Sequence, residues 1–404
     1  MHQVNLDENI YYLGFNDRRT HLFENFWPIP YGVSYNSYLI VDEKIALIDT
    51  VERTFVEDYL DQIEILTNGL PIDYLIINHM EPDHSGALKA IVAKYPDITL
   101  VGNKKTFDLV ANYYQVTKNT LEVYDDSELP LGKHRLRFST IPMVHWPETM
   151  MTYDINYKVL FSGDAFGCFG TLDGTVMDSG MNINKYWDEM IRYYANIVGK
   201  YGAPVQKALK KLTPLDFELI CSTHGPVWKE YISEVVDMYD QMSRYHAEQG
   251  AVIVYGSMYG TTELMAETVA QGLAESGIEN IIIHNVSKSD PSDILRDIFK
   301  YNGLIVGSPT YCNELYPEVE SLLRKIEIRG VKNHVFGCFG SFTWASAAVK
   351  RLTTFVETMK WKSAELNVDE KQGLKTLNYE ACLELGHQVA TLIKNHVDDE
   401  PHCI

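Results

Sequence analysis

Four side chains able to ligate a metal stand within six positions in the run Asn78-His79-Met80-Glu81-Pro82-Asp83-His84-Ser85-Gly86. The run follows Tyr74-Leu75-Ile76-Ile77, an apolar stretch of the buried-strand kind. In an extended segment side chains two apart point the same way, so His79, Glu81 and Asp83 are expected to converge on one side. Pro82 biases Glu81 away from helical angles and helps to hold that geometry. His84 then stands where a helix begins and can turn toward a second ion. Three more ligand-type residues end apolar runs beside Gly, Pro or a small residue: His145 in His145-Trp146-Pro147-Glu148, Asp164 in Ser162-Gly163-Asp164-Ala165, and His224 in Ser222-Thr223-His224-Gly225. Seven candidates suit two ions with one carboxylate shared. Three carboxylates offset three of the four charges on two divalent ions, and one hydroxide offsets the fourth. Oxygen and imidazole ligands suit iron, which can change oxidation state; by ligand type alone zinc fits as well.

A second constellation lies further along, at Val254-Tyr255-Gly256-Ser257-Met258-Tyr259-Gly260-Thr261-Thr262-Glu263. This reads as strand, hydroxyl-rich loop and helix start, where backbone N–H groups with Ser and Thr hydroxyls can cradle a phosphate. Neither the ATP-type G-x-x-x-x-G-K-[ST] loop nor G-x-G-x-x-G is present. Two more loops follow strand-like runs. One carries Ser308, Pro309, Thr310, Tyr311 and Asn313, the other Ser341, Phe342, Thr343 and Trp344. Loops at the carboxyl ends of strands are where doubly wound sheets bind ligands. Tyr311 and Trp344 can stack on a flat ring while hydroxyls and backbone meet its polar edge.

The elements that must position these residues follow two grammars. Residues 1–249 open with Tyr11-Tyr12-Leu13 and a hairpin of Asn36–Ile40 and Lys44–Ile48. A helix is expected over Phe55–Leu66, and helices and strands then alternate. The three ligand-bearing strands end before His145, Asp164 and His224, and a closing helix is expected over Glu230–Glu248. Residues 250–404 show regular strand–helix alternation, with strands expected at Ala251–Tyr255, Asn280–Val286, Leu304–Val306, His334–Phe336 and Ala364–Val368. That is the rhythm of a doubly wound parallel sheet.

A hydrophobic fraction of 46% and a charged fraction of 22% belong to a folded soluble chain. A formal net charge of −20 excludes the basic footprint that nucleic acid or a membrane surface requires. The six cysteines, Cys168, Cys221, Cys312, Cys338, Cys382 and Cys403, form no C-x-x-C pair. They fit a reducing cytoplasm better than a disulfide framework, and no stretch approaches membrane-spanning length.

With His79, Glu81, Asp83, His84, His145, Asp164 and His224 in this order, the first half resembles the metallo-β-lactamase ligand pattern. Glutamate stands where hydrolases of that fold usually carry histidine. Together with Tyr193-Tyr194-Ala195-Asn196 this makes the chain similar to the flavodiiron proteins. The resemblance covers nearly the whole chain and implies an α/β protein: an N-terminal metallo-β-lactamase-like αββα sandwich and a C-terminal flavodoxin-like parallel sheet. By the same resemblance, His79, Glu81 and His145 hold one iron, Asp83, His84 and His224 the other, and Asp164 bridges them. FMN is the implied ligand of Ser257–Thr262 and the two later loops. Family members often have Gly where this chain has Thr343. The activity implied is reduction of dioxygen to water, of nitric oxide to nitrous oxide, or of both. A head-to-tail homodimer or homotetramer is implied too. The chain shows no rubredoxin extension, so a separate rubredoxin, another flavoprotein or a reduced deazaflavin is the expected electron donor. Two other readings remain: a dizinc hydrolase fused to a flavodoxin module, and an electron carrier whose first domain is structural. Trp146, Tyr193, Tyr194 and His21 are candidates to line the substrate pocket.

Overall fold

A computed structural model describes residues 4–396, so Cys403 lies outside the described residues. The chain divides into two compact units, Met1–Asp240 and Gln241–Ile404.

The first unit is built on two main β-sheets, of seven and five strands. In the larger one, Val33–Val41 pairs antiparallel with Ile10–Asp17 and with Ile45–Ile48. The sheet then continues in parallel through Tyr74–Ile76, Thr99–Gly102 and Thr120–Glu122. In the smaller one, Arg135–Thr140, Met150–Asp154 and Val159–Gly163 run antiparallel, and Leu219–Ser222 lies parallel to the last of them. The sheets meet where Tyr38 packs on Phe161 at 5.4 Å and gives its hydroxyl proton to the Ser222 carbonyl at 2.6 Å. Strands buried on both faces explain runs such as Ile45-Ala46-Leu47-Ile48, in which every residue is buried. Helices cover the outer faces. Phe15 stacks on Phe55 and meets Tyr59 of the helix Val56–Thr67, while Tyr239 of the helix Ile232–Arg244 packs on Phe166.

The second unit has a parallel sheet in the order Ile281–Asn285, Glu248–Tyr255, Tyr301–Pro309, Val335–Phe342. This is a doubly wound order with its reversal beside the first strand. On one face the helices Thr261–Glu275 and Thr376–Lys394 cross at Gly272 and Gly386. A Cβ on either glycine would overlap a backbone carbonyl oxygen of the opposite helix, Leu383 for Gly272 and Val269 for Gly386.

Three local expectations are corrected. The segment His79–Asp83 is not extended throughout, because Pro82–Ser85 forms a helical turn with Pro82 at its first position. Its fixed φ suits that position, and the amides of His84 and Ser85 bond back to the Glu81 carbonyl. Asp83 therefore leaves the side shared by His79 and Glu81. The closing helix ends at Arg244 instead of Glu248, because Glu248 already pairs with Tyr301 in the next sheet. The fifth strand is split into Lys362–Ser363 and Val368–Lys371, both paired with Val335–Phe342. Between them Leu366 N–H bonds to the Gln388 side chain, and the Asn367 side chain accepts from Cys338 Sγ.

Candidate metal centre and flavin cleft

The metal-type residues come from the segments that follow strand ends, with Asp83 and His84 in the helical turn Pro82–Ser85. His79 and Glu81 follow Tyr74–Ile76, Asp164 follows Val159–Gly163, and His224 follows Leu219–Ser222. His145 comes from the loop after Arg135–Thr140, and the peptide joining it to Val144 is cis.

The seven side chains form two adjoining groups. In one, His145 Nε2 lies 2.9 Å from Glu81 Oε2, 3.1 Å from Asp164 Oδ2 and 3.4 Å from His79 Nε2. In the other, His224 Nε2 lies 3.1 Å from Asp83 Oδ2, and His84 Nε2 lies 3.2 Å from Asp164 Oδ1. Asp164 thus turns one oxygen to each group. His84 has its ligand atom within 4.8 Å of those of both sets, but its shortest contact is to the oxygen that faces Asp83 and His224. Six of the seven are buried, and Asp83 is half-buried.

The donor set fits metal ions. Asp83 Oδ1 and Oδ2, both ring nitrogens of His84 and His224 Nε2 are buried without a hydrogen-bond partner among the described residues. Burying such atoms unpaired is costly, so a concentration of five in one place marks a ligand's position. The electrostatics agree. Burial would push the Asp164 carboxyl up, but the charge of His84 and the hydrogen bond of His145 hold it well below its ordinary range. Burial works against a charged His84, yet Asp83 and Asp164 raise it to about 10. The pocket keeps Asp164 ionised and welcomes positive charge.

Other side chains support this cluster. His79 Nδ1 lies 2.7 Å from Glu148 Oε1, His224 Nδ1 donates to the Ser34 carbonyl at 2.8 Å, and Thr223 Oγ1 donates to Asp164 Oδ1. Asp49 accepts from the backbone of Asn78 and His79, and burial raises its carboxyl to about 6. Trp146 stands edge-on to His79 at 5.2 Å, while Phe23, Tyr35 and Tyr193 surround His224 at 5.5–5.8 Å. The Tyr193 hydroxyl is buried without a hydrogen-bond partner among the described residues, and after burial itself the strongest influence raising it is the charge of Asp164. Tyr194 instead packs on Tyr239 at 5.1 Å, and His21 is exposed. The helix holding Tyr193 passes into a π-helical turn at Tyr194–Val198, a rare form that often marks functional sites.

Two participants had escaped notice in the sequence. Glu148 follows His145-Trp146-Pro147, and nothing in its spacing marks it as a partner of His79. Glu24 lies in the tight turn between Leu22–Phe23 and Trp27–Pro28 at φ 52°. Although the residue is exposed at the surface, partial burial of its carboxyl, with the charge and hydrogen bond of Glu81, raises it to about 7.

The second unit carries an open cleft of about 210 Å³ at the carboxyl ends of its strands. Ser257, Met258, Tyr259, Thr261, Thr262, Pro309, Thr310, Ser341, Phe342 and Thr343 line it, joined by Gln372, which sequence reading missed. Gly260 starts the helix Thr261–Glu275 from the left-handed region at φ 90°, and its N–H bonds to Ser257 Oγ at 3.1 Å. Ser308 lies behind the cleft, accepting the Tyr316 N–H. Tyr311, Asn313 and Trp344 are outside the lining; Tyr311 is 45% and Trp344 86% exposed, so neither aromatic is core packing. A helix N-terminus with hydroxyls around it, and exposed aromatics in the loops that line the cleft, fits a phosphate joined to a planar ring.

Comparison with known proteins finds the same two-part architecture. Residues 33–225 match the ODP family beta lactamase model, and residues 253–384 match flavodoxin. The nitric oxide reductase of Moorella thermoacetica is 31% identical, over 96% of this chain and 98% of its own length. Rubredoxin oxygen:oxidoreductase from Desulfovibrio gigas superposes with a TM-score of 0.93 at 27% identity, over 97% of this chain and 99% of that one. The flavodiiron protein of Giardia intestinalis does so with a TM-score of 0.93 at 26% identity, over 98% and 97%. The lactamase-like metal fold, the flavodoxin-like sheet and full-length likeness to these enzymes together place the chain in the flavodiiron protein family.

Proposed function

We propose that this chain is a flavodiiron oxidoreductase that reduces dioxygen to water, nitric oxide to nitrous oxide, or both. The observation that carries the reading is Asp164, whose two oxygens face two groups of imidazole and carboxylate ligands. In this reading His79, Glu81 and His145 hold one iron, Asp83, His84 and His224 the other, and the Ser257–Thr262 loop with the two later loops holds FMN. When bound, the irons and the flavin supply electron storage: four electrons and four protons turn dioxygen into two waters, and two of each turn two nitric oxide molecules into nitrous oxide and water. The protein's own part is to hold and shield. Asp164 ties the two ligand groups together, Trp146, Phe23 and Tyr35 wall them with aromatic rings, and Tyr193 presents a hydrogen-bonding hydroxyl whose proton burial and the charge of Asp164 hold in place.

The test is anaerobic reduction of the purified protein followed by rapid mixing with each gas. Reoxidation of flavin and iron by at least one gas is expected. Failure with both, or two zinc ions with ester hydrolysis and no gas consumption, overturns the reading. The finer assignments belong to the same proposal: a separate donor such as a rubredoxin, another flavoprotein or a reduced deazaflavin, and a head-to-tail homodimer or homotetramer. Among the described residues no helix is long and apolar enough to cross a membrane. Free cysteines spread over both units support a cytoplasmic location.

A further inference from the structure

The histidines of the metal cluster are held from behind in different ways. His224 Nδ1 meets a neutral backbone acceptor, the Ser34 carbonyl, at 2.8 Å. Neither ring nitrogen of His84 has a hydrogen-bond partner among the described residues. His79 Nδ1 meets a carboxylate instead, Glu148 Oε1 at 2.7 Å, and both side chains are 0% exposed. The same Glu148 oxygen accepts the Met80 N–H at 3.0 Å. An oxygen that already faces a backbone donor acts as an acceptor toward the ring. The proton therefore sits on His79 Nδ1, and the Nε2 lone pair is left facing Glu81, His145 and Asp164. Asp49, the other buried carboxyl beside His79, takes its hydrogen bonds from the amides of Asn78 and His79 and not from the ring.

We propose that Glu148 is a positioning residue of the metal centre, whose buried carboxylate locks His79 toward its ion and sets that ion apart from its neighbour in affinity and reduction potential. The inference rests on the metal-centre reading above. A carboxylate drawing on the Nδ1 proton makes Nε2 a stronger donor, and such partners typically contribute about 10–100-fold in metal affinity. A stronger donor and an unscreened negative charge both favour the more oxidised ion, so Glu148 lowers the potential of the ion that His79 holds. His84 has no such partner and His224 Nδ1 meets only a carbonyl, so the donor effect falls on one of the two ions and the charge effect is larger there.

The test compares wild-type holoenzyme with Glu148→Gln, which keeps the shape and removes the charge, and with Glu148→Asp, which keeps the charge. Midpoint potentials of the two irons are followed by EPR during a redox titration, and iron release is timed against a chelator. In Glu148→Gln one potential shifts upward and one ion leaves about 10–100-fold faster, while the other ion is little changed; Glu148→Asp recovers part of both effects. A merely structural role would lower the melting temperature and leave potentials and release unaltered, which overturns the proposal. Where the Gln variant fails to load metal, wild-type protein loaded with cobalt(II) decides. The His79 Nδ1 proton is then expected as a hyperfine-shifted resonance that exchanges slowly with solvent, and its absence refutes the assignment. A wild-type protein holding no pair of metal ions would refute the underlying reading instead, and this inference with it.

Discussion

Asp164 has a demand placed on it that no other ligand shares. Its two oxygens serve separate groups, and Thr223 adds a hydrogen bond to the oxygen that faces His84. Asp164→Asn keeps the size but removes the charge and replaces one acceptor with an NH2 that faces imidazoles. Loss of most of the bound iron and of gas reduction is expected, with FMN content unchanged; metal analysis and the flavin absorbance of the same sample separate the two. The seven candidate ligands stood out in the sequence because each is a costly residue type at, or a few positions beyond, the end of an apolar run. Their division into groups was legible only in part. Asp83 reaches His224 through the helical turn Pro82–Ser85, not through strand alternation. Glu24, Glu148 and Gln372 were not legible, because each acquires its partner only when distant segments close: Glu81, His79 and the Phe342 loop.

At the scale of elements, the parallel order of the second unit was readable from strand–helix rhythm, while the contacts that fix its helices were not. Gly272 and Gly386 look like helix-weakening residues in a sequence, but they are where two helices touch backbone to backbone. Gly386→Val should therefore destabilise the second unit by about 1–3 kcal/mol, as overpacking does. Urea denaturation followed by flavin release reads the change, and a variant as stable as wild type would show that the helices are free to separate. The first unit offers a pH-dependent counterpart. His134 Nδ1 lies 2.5 Å from Asp154 Oδ2, and Nε2 meets the Glu8 carbonyl at 2.9 Å. Burial lowers the His134 pKa, but the hydrogen bond and charge of Asp154 outweigh it, so the folded value stands above the ordinary one. The pair's stabilisation is then fully present below the unfolded value of about 6.5 and fades as pH rises through the raised folded value. Wild type should lose stability over His134→Asn across that rise, and parallel stability curves for the two proteins would contradict this.

The whole molecule poses the question of how electrons pass from flavin to iron. Each unit has its own core and its own site, so neither site needs the other's side chains to form. A head-to-tail dimer, as proposed, brings the flavin of one copy to the irons of the other, and that arrangement has a sharp consequence in mixed assemblies. One chain carries His79→Ala and lacks a complete metal site. The other carries Thr261→Glu, which places a carboxylate in the cleft where the flavin phosphate is proposed to bind. Each homodimer is inactive. In a head-to-tail mixed dimer, the intact flavin of the first chain faces the intact irons of the second, giving one working pair. Co-expression at equal levels makes half the dimers mixed, so about a quarter of wild-type gas reduction should return. Transfer within a single chain predicts none, because no chain in the mixture holds both groups. Activity near zero, with mixed dimers verified by mass spectrometry, would remove the head-to-tail arrangement and require each chain to reduce its own irons.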